Sequence, residues 1–387
     1  MHIKQLIIPG LWAFATQSMA QNGFVITCES PDLVENAKAY VYNQEVTQEN
    51  PGFVLAEGAV ANGKLRIEGH TAYPVMAMIA INTDTVAVKD WGVIPRISAD
   101  FVVDNAEYKA FIQKEGEKQL NLTITSECPE QQRYEQYEKE IAPFAKAYSD
   151  ALTAKWGDEM ESTEENIDKA DKRIDDAEAR QDSAEMAYMA RHTGETLATY
   201  LAVKHLAGVY QYTQEEIDGI ERAAGTTPDT ARAARLQKAL QRARKHALGT
   251  PFSDFGMVDS TGAKRMFSSL VPQDKPVLVD IWASWCGPCR SAIPKVRALH
   301  EKYGDKLDVL SISVDEKRAD WIKAMQEEQM PWSQWLVPSE QMGILADKYG
   351  VEFIPFVFVV HEGKIAAFGH PKTLDAKIAR MIGEINP

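Results

Sequence analysis

The chain has 387 residues, of which 45% are hydrophobic and 25% charged, and its formal net charge is -14 at pH 7. This length exceeds one ordinary core and predicts two or three domains, while the normal charged fraction argues against wholesale disorder. The acidic balance excludes a general nucleic-acid binder, which needs a surplus of Lys and Arg to neutralise phosphates.

Residues 1–20 have the pattern of a secretory signal peptide. Lys4 precedes a short apolar stretch, Leu6–Ala15, and the small residues Ser18 and Ala20 stand at the positions that a signal peptidase recognises. The apolar stretch is too short to cross a bilayer as a helix. We therefore expect an exported protein of the periplasm or cell envelope, whose four cysteines enter an oxidising compartment.

Residues 21–128 are predicted to form an all-β sandwich, because many short β-prone runs alternate with turn residues. The strongest turn signal is Asn62-Gly63, which stands between the runs Ala59-Val60 and Leu65–Ile67. Both central positions of a two-residue hairpin need positive φ, which Asn and Gly tolerate. The predicted strands are Phe24–Thr27, Ala39–Tyr42, Phe53–Val60, Lys64–Glu68, Val75–Ile81, Thr85–Val88 and Leu120–Ile124.

Residues 129–249 are predicted to be a helical region, because Gly and Pro become scarce and helix-forming residues dominate. The charged stretch Glu159–Glu185 has two interpretations, a solvated helical spacer or a coiled coil that joins two copies of the chain. The spacer is favoured because few heptads are sustained, and a homodimer through this region stays open. A further helix is predicted from Thr227-Pro228-Asp229 to His246, ending before Gly249.

Residues 250–387 are predicted to form an α/β domain, because strands alternate with helices and the region closes with a hairpin and a helix. Val277–Trp282 is an apolar run with one Asp, as in a buried parallel strand. The other predicted strands are Leu307–Val314, Phe353–Val360 and Lys364–Phe368, and the predicted helices are Cys286–Tyr303, Arg318–Gln329, Gln341–Tyr349 and Leu374–Ile385.

The motif with the clearest chemistry is Cys286-Gly287-Pro288-Cys289, which follows a predicted strand and opens a predicted helix. A Cys-x-x-Cys pair at such a junction indicates redox chemistry, because the free N–H groups and the dipole at a helix N-terminus stabilise a thiolate. Pro288 is tolerated there, since the first turn does not use its missing N–H. A structural zinc site is disfavoured because it needs about four ligands and the sequence has no second close cysteine pair.

The region from residue 250 onward resembles the thioredoxin superfamily, and specifically the secreted TlpA/ResA-like reductases. The resemblance rests on Val277–Cys289, on Pro294 and on Phe353–Pro355, and covers about a third of the chain. It implies that Cys286 is the nucleophile and Cys289 the resolving cysteine, with no cofactor besides their disulfide and no metal.

The same resemblance implies a substrate-binding surface around the two cysteines. Its residues would be Trp285, Gly287, Pro288, Ile354 and Pro355. Pro355 would follow a cis peptide bond, which is accessible mainly to X–Pro bonds, and the backbone of Ile354 would pair with an extended substrate.

Asp280 is the predicted proton acceptor for the resolving thiol. It is the one charged residue in an apolar strand, and a buried charge is costly unless it is paired or functional. Thioredoxins carry an acid at the matching position, and a pKa raised by burial suits a general base. The alternative is a strand-end aspartate in water.

Three positions depart from the family pattern. Ala292 stands where TlpA/ResA-like reductases often have a glutamate, so this chain is expected to rely on Asp280. Phe356 replaces the usual Thr after the proline, which predicts an altered substrate groove. Gly369 is a candidate match to the family's substrate-contacting glycine.

The region of residues 21–128 resembles the small β-sandwich domain of unknown function that often precedes exported thioredoxin domains. Cys28 and Cys128 lie near its first and last predicted strands. A disulfide between them would close a loop of roughly 100 residues and contribute at most about 4–5 kcal/mol in the chain-entropy model. The alternative is a pair of buried thiols that act as small hydrophobic residues. The disulfide is slightly preferred.

The predicted function is that of an exported thiol–disulfide oxidoreductase. It would reduce disulfides of exported proteins and take its electrons from a thiol donor in the membrane. The alternatives are a disulfide oxidase or isomerase, and a non-catalytic binding protein on a thioredoxin scaffold. A peroxidase is disfavoured, because Val279 and Ala283 occupy the spacings where peroxiredoxins carry Pro and Thr or Ser.

Overall fold

The computed structural model describes residues 23–46, 50, 52–81, 87–88, 92–93, 97–115, 119–156 and 163–384. The predicted signal peptide and part of the predicted strand Thr85–Val88 lie outside the described residues. The chain divides into two compact units. We call residues 1–202 with 222–234 the N-terminal unit, and residues 203–221 with 235–387 the C-terminal unit. The helical region of residues 129–249 is thus divided between the two units.

The N-terminal unit contains two four-stranded sheets, with strand orders β10-β9-β1-β4 and β3-β2-β5-β8. Inward-facing residues of both sheets form one hydrophobic core, as expected of a sandwich. The strands are β1 Phe24–Glu29, β2 Lys38–Asn43, β3 Val54–Ala59, β4 Lys64–Gly69, β5 Val75–Ile81, β6 Ala87–Val88, β7 Gly92–Val93, β8 Ile97–Val103, β9 Glu107–Glu115 and β10 Gln119–Thr125. The short strands β6 and β7 pair with each other.

The turn at Asn62-Gly63 forms, but the strands beside it do not make a hairpin ladder. Both residues have positive φ, 55° and 69°, and Ala61 and Lys64 exchange backbone hydrogen bonds across the turn. Beyond that bridge β3 pairs with β2 and β4 pairs with β1, so the two strands enter different sheets. The turn therefore carries the chain from one sheet to the other.

The expected disulfide between Cys28 and Cys128 is not formed, and both are free, buried thiols. The side chains of Phe24, Ile26 and Cys28 alternate into the interior along β1, and Cys128 joins the same core. Both thiols thus pack as small hydrophobic groups, which is the alternative interpretation of the sequence. Burial raises the pKa of the Cys28 thiol, because the charged form loses its hydration.

Five α-helices follow the two sheets. They are α1 Pro129–Trp156, α2 Glu164–Arg191, α3 Thr196–His205, α4 Gln214–Ala224 and α5 Thr230–Lys245. In α1 and α2 the rings of Tyr137 and Tyr188 meet edge to face at 4.9 Å, and the Tyr137 hydroxyl donates to buried Glu185 at 3.2 Å. No helix within the described residues is long and apolar enough to cross a membrane.

The N-terminal end of α5 is fixed by buried charges within the N-terminal unit. Asp229 caps the helix, accepting from the backbone N–H of Ala231 at 2.9 Å, as its place in the sequence predicts. Arg232 donates to both carboxylate oxygens of Glu45, at 2.9 and 3.1 Å, and each side chain is only 3% exposed. The Arg232 guanidinium also donates to the Pro74 carbonyl oxygen.

The C-terminal unit is built on a seven-stranded sheet of order β12-β11-β15-β14-β13-β16-β17. β13 runs parallel to β14 and antiparallel to β16, as the α/β pattern predicts. The strands are β11 Gly256–Val258, β12 Lys264–Met266, β13 Val277–Trp282, β14 Asp308–Ser313, β15 Ser333–Leu336, β16 Phe356–His361 and β17 Lys364–Phe368. The helices are α6 Gly287–Tyr303, α7 Arg318–Glu328, α8 Met342–Tyr349 and α9 Pro371–Met381.

Each face of this sheet has its own core. Leu278 and Trp282 of β13 face one core together with residues of α6, α7 and α9. The alternate residues of β13 face the second core, which includes α8 and two residues from the segment 203–221, Val209 and Tyr210. The C-terminal unit therefore includes core residues that precede the predicted boundary at residue 250.

Candidate active site

The central feature of the C-terminal unit is a disulfide between Cys286 and Cys289, whose Cα atoms are 5.3 Å apart. Cys286 is the N-cap residue of α6, and its backbone is extended. It follows the short turn that comes after β13. The backbone N–H of Cys289 donates to the Sγ atom of Cys286 at 3.2 Å. A donor aimed at this sulfur stabilises negative charge there, because the free N–H groups of a helix terminus have no partner within the helix.

The two sulfurs differ in access. Cys289 is 1% exposed and Cys286 5%, while Gly287 and Pro288 between them are exposed. A β-carbon on Gly287 would meet no atom within 4 Å, so the surface beside Cys286 is open. Cys286 therefore lies on the more open side of the disulfide, as its predicted nucleophilic role requires, and Cys289 lies on the buried side.

The turn that precedes Cys286 is held by Asp315, which the sequence analysis did not single out. Its carboxylate accepts from the Ser284 backbone N–H at 2.9 Å and from the Ser284 hydroxyl at 2.6 Å. The Ser313 hydroxyl also donates to Asp315, at 2.7 Å. Asp315 lies just beyond the end of β14, next to β13, so the sheet itself places this anchor beneath the turn.

Asp280 lies inside the sheet, 2% exposed, so it is not a strand-end aspartate in water. Because side chains alternate along a strand, that of Asp280 lies on the same face as those of Leu278 and Trp282. This face meets the core that contains Cys286 and Cys289. Burial raises the pKa of the Asp280 carboxyl to about 7, against the smaller opposing effect of a hydrogen bond from Ser311. A carboxyl with this pKa can take up a proton near neutral pH, as the predicted role requires.

Ser311 and Trp332 extend from Asp280 into the core. Ser311 pairs with Asp280 across the β13–β14 ladder, and its hydroxyl donates to Asp280 Oδ2 at 3.1 Å. The Trp332 indole N–H in turn donates to Ser311 Oγ at 2.8 Å. Sequence reasoning missed both residues, although a serine within the apolar run of β14 was a usable signal.

The Ile354–Pro355 peptide bond is cis. Both residues are half-buried and lie just before β16, outside the strand that was predicted to start at Phe353. Phe353 is 63% exposed, and Trp285, immediately before Cys286, is 70% exposed. These are the two most exposed large apolar side chains in the described part of the chain, and both adjoin the predicted site residues in sequence.

Phe356 does not itself reach the protein surface, and its effect on the substrate groove stays a prediction. Phe356 is fully buried and belongs to the core on the sheet face opposite Asp280. Its ring packs 4.8 Å from that of Phe368 and 6.4 Å from that of Tyr210, measured between centroids. The side chain points away because neighbouring strand residues alternate between faces.

The other two departures from the family pattern also have defined places. Ala292 is buried in α6, so this position supplies a methyl group and no carboxyl. Gly369 follows β17 with a φ of 142°, and its backbone N–H donates to the Val357 carbonyl at 3.1 Å. A β-carbon at Gly369 would come within 2.8 Å of the Thr373 hydroxyl, so glycine is required there.

Part of this chain is similar to known proteins. A thioredoxin-like family model matches residues 274–365. Thioredoxin from Streptomyces clavuligerus is 30% identical over 98 residues, which are 25% of this chain and 67% of that protein. The chain belongs to the thioredoxin superfamily. A thioredoxin-like protein of Synechocystis is 60% identical over 43 residues, which are 11% of this chain. Thioredoxin from Alicyclobacillus acidocaldarius is 48% identical over 50 residues, which are 13% of this chain. The chain spans only 39% and 48% of these two relatives.

Solved structures are also similar to part of this chain. The thioredoxin domain of a thiol-disulfide oxidoreductase from Bacteroides vulgatus is 25% identical, with 34% of this chain and 98% of that chain covered and a TM-score of 0.32. A thiol-disulfide oxidoreductase from Bacteroides fragilis is also 25% identical, with coverages of 33% and 98% and a TM-score of 0.30. The family match and the observed elements confirm the predicted fold class, a thioredoxin-like α/β domain after all-β sheets and helices.

Proposed function

We propose that this protein is a thiol–disulfide oxidoreductase that reduces disulfides in exported proteins. The observation that carries the proposal is the Cys286–Cys289 disulfide at the N-terminus of α6, with the Cys289 N–H directed at the Cys286 sulfur. Membership of the thioredoxin superfamily supports it.

The reaction starts from the reduced pair. The Cys286 thiolate attacks one sulfur of a substrate disulfide, forms a mixed disulfide and releases the first substrate sulfur as a thiolate, which takes a proton from water. Cys289 then transfers its proton to the Asp280 carboxylate, and its thiolate attacks the Cys286 sulfur. The Cys286–Cys289 disulfide forms as the second substrate sulfur leaves as a thiolate, which takes a proton from water. Two electrons pass from the dithiol to the substrate, and a thiol donor must reduce the pair again.

The direction of reduction is proposed from the residues between the cysteines. Gly287 and Pro288 resemble those of reducing thioredoxins, whose potential is about -270 mV. The proposed electron donor is a membrane thiol protein. An oxidase or isomerase would instead need a more oxidising pair, closer to about -120 to -180 mV.

We propose that substrates are extended polypeptides that dock beside the cis-proline segment. Trp285, next to Cys286 in sequence, and Phe353, two residues before the cis-proline, offer exposed apolar side chains, and Ile354 offers its backbone. Export to the periplasm or cell envelope is proposed from the sequence of residues 1–20. A homodimer through the helical region and the kinship of the β-sheet region with the sandwich domain of unknown function remain proposals from sequence.

The deciding experiment is a redox titration of the purified protein against glutathione, combined with an insulin-reduction assay. We expect a potential well below that of the glutathione pool and insulin reduction that disappears in Cys286→Ser. Cys289→Ser should accumulate a mixed disulfide, because the attacking thiol is present and the resolving one is lacking. An oxidising potential would favour the oxidase or isomerase, and a pair without reversible titration would favour a binding protein.

A further inference from the structure

Asp280 has a defined set of neighbours on its face of the sheet. β14 contributes Ser311 and β16 contributes Val357, each paired with Asp280 in the ladder. The buried residues of α7 and α9 on this face are apolar, apart from the Trp321 indole N–H. Titratable groups come from α6, namely Cys286 and Cys289 in the core and His300, whose ring meets that of Trp332.

The hydrogen bonds that end on Asp280 run in one direction. An indole N–H can only donate, so Trp332 must donate to Ser311 Oγ at 2.8 Å. The Ser311 hydroxyl has one proton, and the carboxylate oxygen of Asp280 at 3.1 Å is its strongest available acceptor. The Met330 sulfur lies 4.0 Å from the same hydroxyl, and sulfur accepts only weakly.

Trp332 is itself held in place. The centroid of its ring lies 5.6 Å from that of the His300 ring. The Cζ atom of the Arg297 guanidinium lies over the Trp332 ring, 5.6 Å from its centroid. Arg297 in turn donates to the Glu328 carbonyl at 2.8 Å and the Gln329 carbonyl at 3.2 Å. An indole fixed in this way keeps the Ser311 hydroxyl from rotating away from Asp280.

We propose that Ser311 and Trp332 are positioning residues that orient the Asp280 carboxylate to accept the proton of Cys289. The inference rests on the proposed function, since the proton moves only when Cys289 resolves a mixed disulfide. Ser311 acts directly on the carboxylate, and Trp332 acts through Ser311. The hydrogen bond favours the ionised form, so it opposes the desolvation that raises the Asp280 pKa.

The first test is a carbon-13 NMR titration of the Asp280 carboxyl in the oxidised full chain, assigned with Asp280→Asn. Ser311→Ala should shift the Asp280 titration upward by about one pKa unit, because a hydrogen bond to the charged form is lost. Ser311→Thr keeps the hydroxyl and should restore the wild-type titration. Ser313→Ala is the matched control, because Ser313 has the same strand, face and burial but donates to Asp315 instead.

The role of Trp332 is tested by combining its substitution with that of Ser311. Trp332→Phe should give a smaller upward shift, and the double variant should titrate like Ser311→Ala alone, because Trp332 acts through Ser311. Additive shifts would overturn this order of action. An unchanged Asp280 titration in Ser311→Ala would overturn the proposal altogether.

The second test is the pH profile of the resolving step. In single turnovers with a disulfide dye, Ser311→Ala should move the profile to higher pH by the same amount as the NMR titration. A moved titration with an unmoved profile would show that Asp280 is not the proton acceptor and would overturn the proposed role. If the wild-type chain reduces no disulfide, the proposed function fails, whereas the titration still decides whether Ser311 and Trp332 act on Asp280.

Discussion

Replacing Asp280 with Asn should stabilise the oxidised protein at neutral pH and above, by an amount that depends on pH. The native fold raises the Asp280 pKa from its usual 3.8 to about 7, so the folded chain holds this proton more tightly than the unfolded chain. Stability from this group is therefore complete below about pH 4 and is lost as pH rises to about 7. Asn fills the same space without ionising.

The magnitude follows from the two pKa values. One pKa unit corresponds to about 1.36 kcal/mol, so the difference between 3.8 and about 7 corresponds to about 4 kcal/mol. The stability gain of Asp280→Asn over wild type should grow by about this amount from pH 4 to pH 7 and then level off. The variant should also lose most of its rate in the resolving step, so stability and activity move in opposite directions.

The assay is urea unfolding of both oxidised proteins across this pH range, followed by tryptophan fluorescence. Five of the eight tryptophans lie in the C-terminal unit, at positions 282, 285, 321, 332 and 335, so the signal reports mainly on that unit. Asp274→Asn, at an exposed aspartate of the same unit, is the control and should show no such gain. A stability difference between Asp280→Asn and wild type that stays constant from pH 4 to pH 8 would refute the argument.

Three further outcomes are expected. Denatured, unreduced protein should show two free thiols to Ellman's reagent, from Cys28 and Cys128, and none would mean that they are bonded after all. Arg232→Ala should destabilise the N-terminal unit by about 3–5 kcal/mol in urea, because the buried Glu45 carboxylate loses the guanidinium that pairs with it, and a loss under about 1 kcal/mol would contradict this. Phe353→Ser should lower kcat/KM for insulin about tenfold by removing apolar contact, and leave a small disulfide dye unaffected; an equal loss on both would argue against docking.

The sequence predicts the interior of the C-terminal unit well because its central strands are continuous apolar runs. Val277–Trp282 needed no long-range information, and a single Asp within it identified Asp280. The strands β8 and β9 were missed because residues with low strand propensity, among them Asp100, Lys109 and Lys114, interrupt their apolar residues. β15 is short and follows Pro331, which weakens its local signal in the same way.

Some residues of the candidate site could be predicted from the sequence and others could not. Cys286 and Cys289 are neighbours in sequence, so their spacing and context were sufficient. Ser311 and Trp332 reach Asp280 only through the register of two strands and the approach of a third segment, which no local pattern specifies. Whether Cys28 and Cys128 are bonded was equally beyond the sequence, because a buried cysteine has the same pattern as any small apolar residue.

The aromatic contact between Tyr210 and Phe356 decides where the catalytic part of this chain can be cut. Tyr210 precedes the redox motif by more than seventy residues, yet its ring closes the core beneath the strand that follows the cis-proline. A fragment that begins at residue 250 would expose the rings of Phe356 and Phe368 to water, along with the face of the sheet that they cover. Such a fragment should be prone to self-association, whereas one that begins at residue 203 retains its own cover.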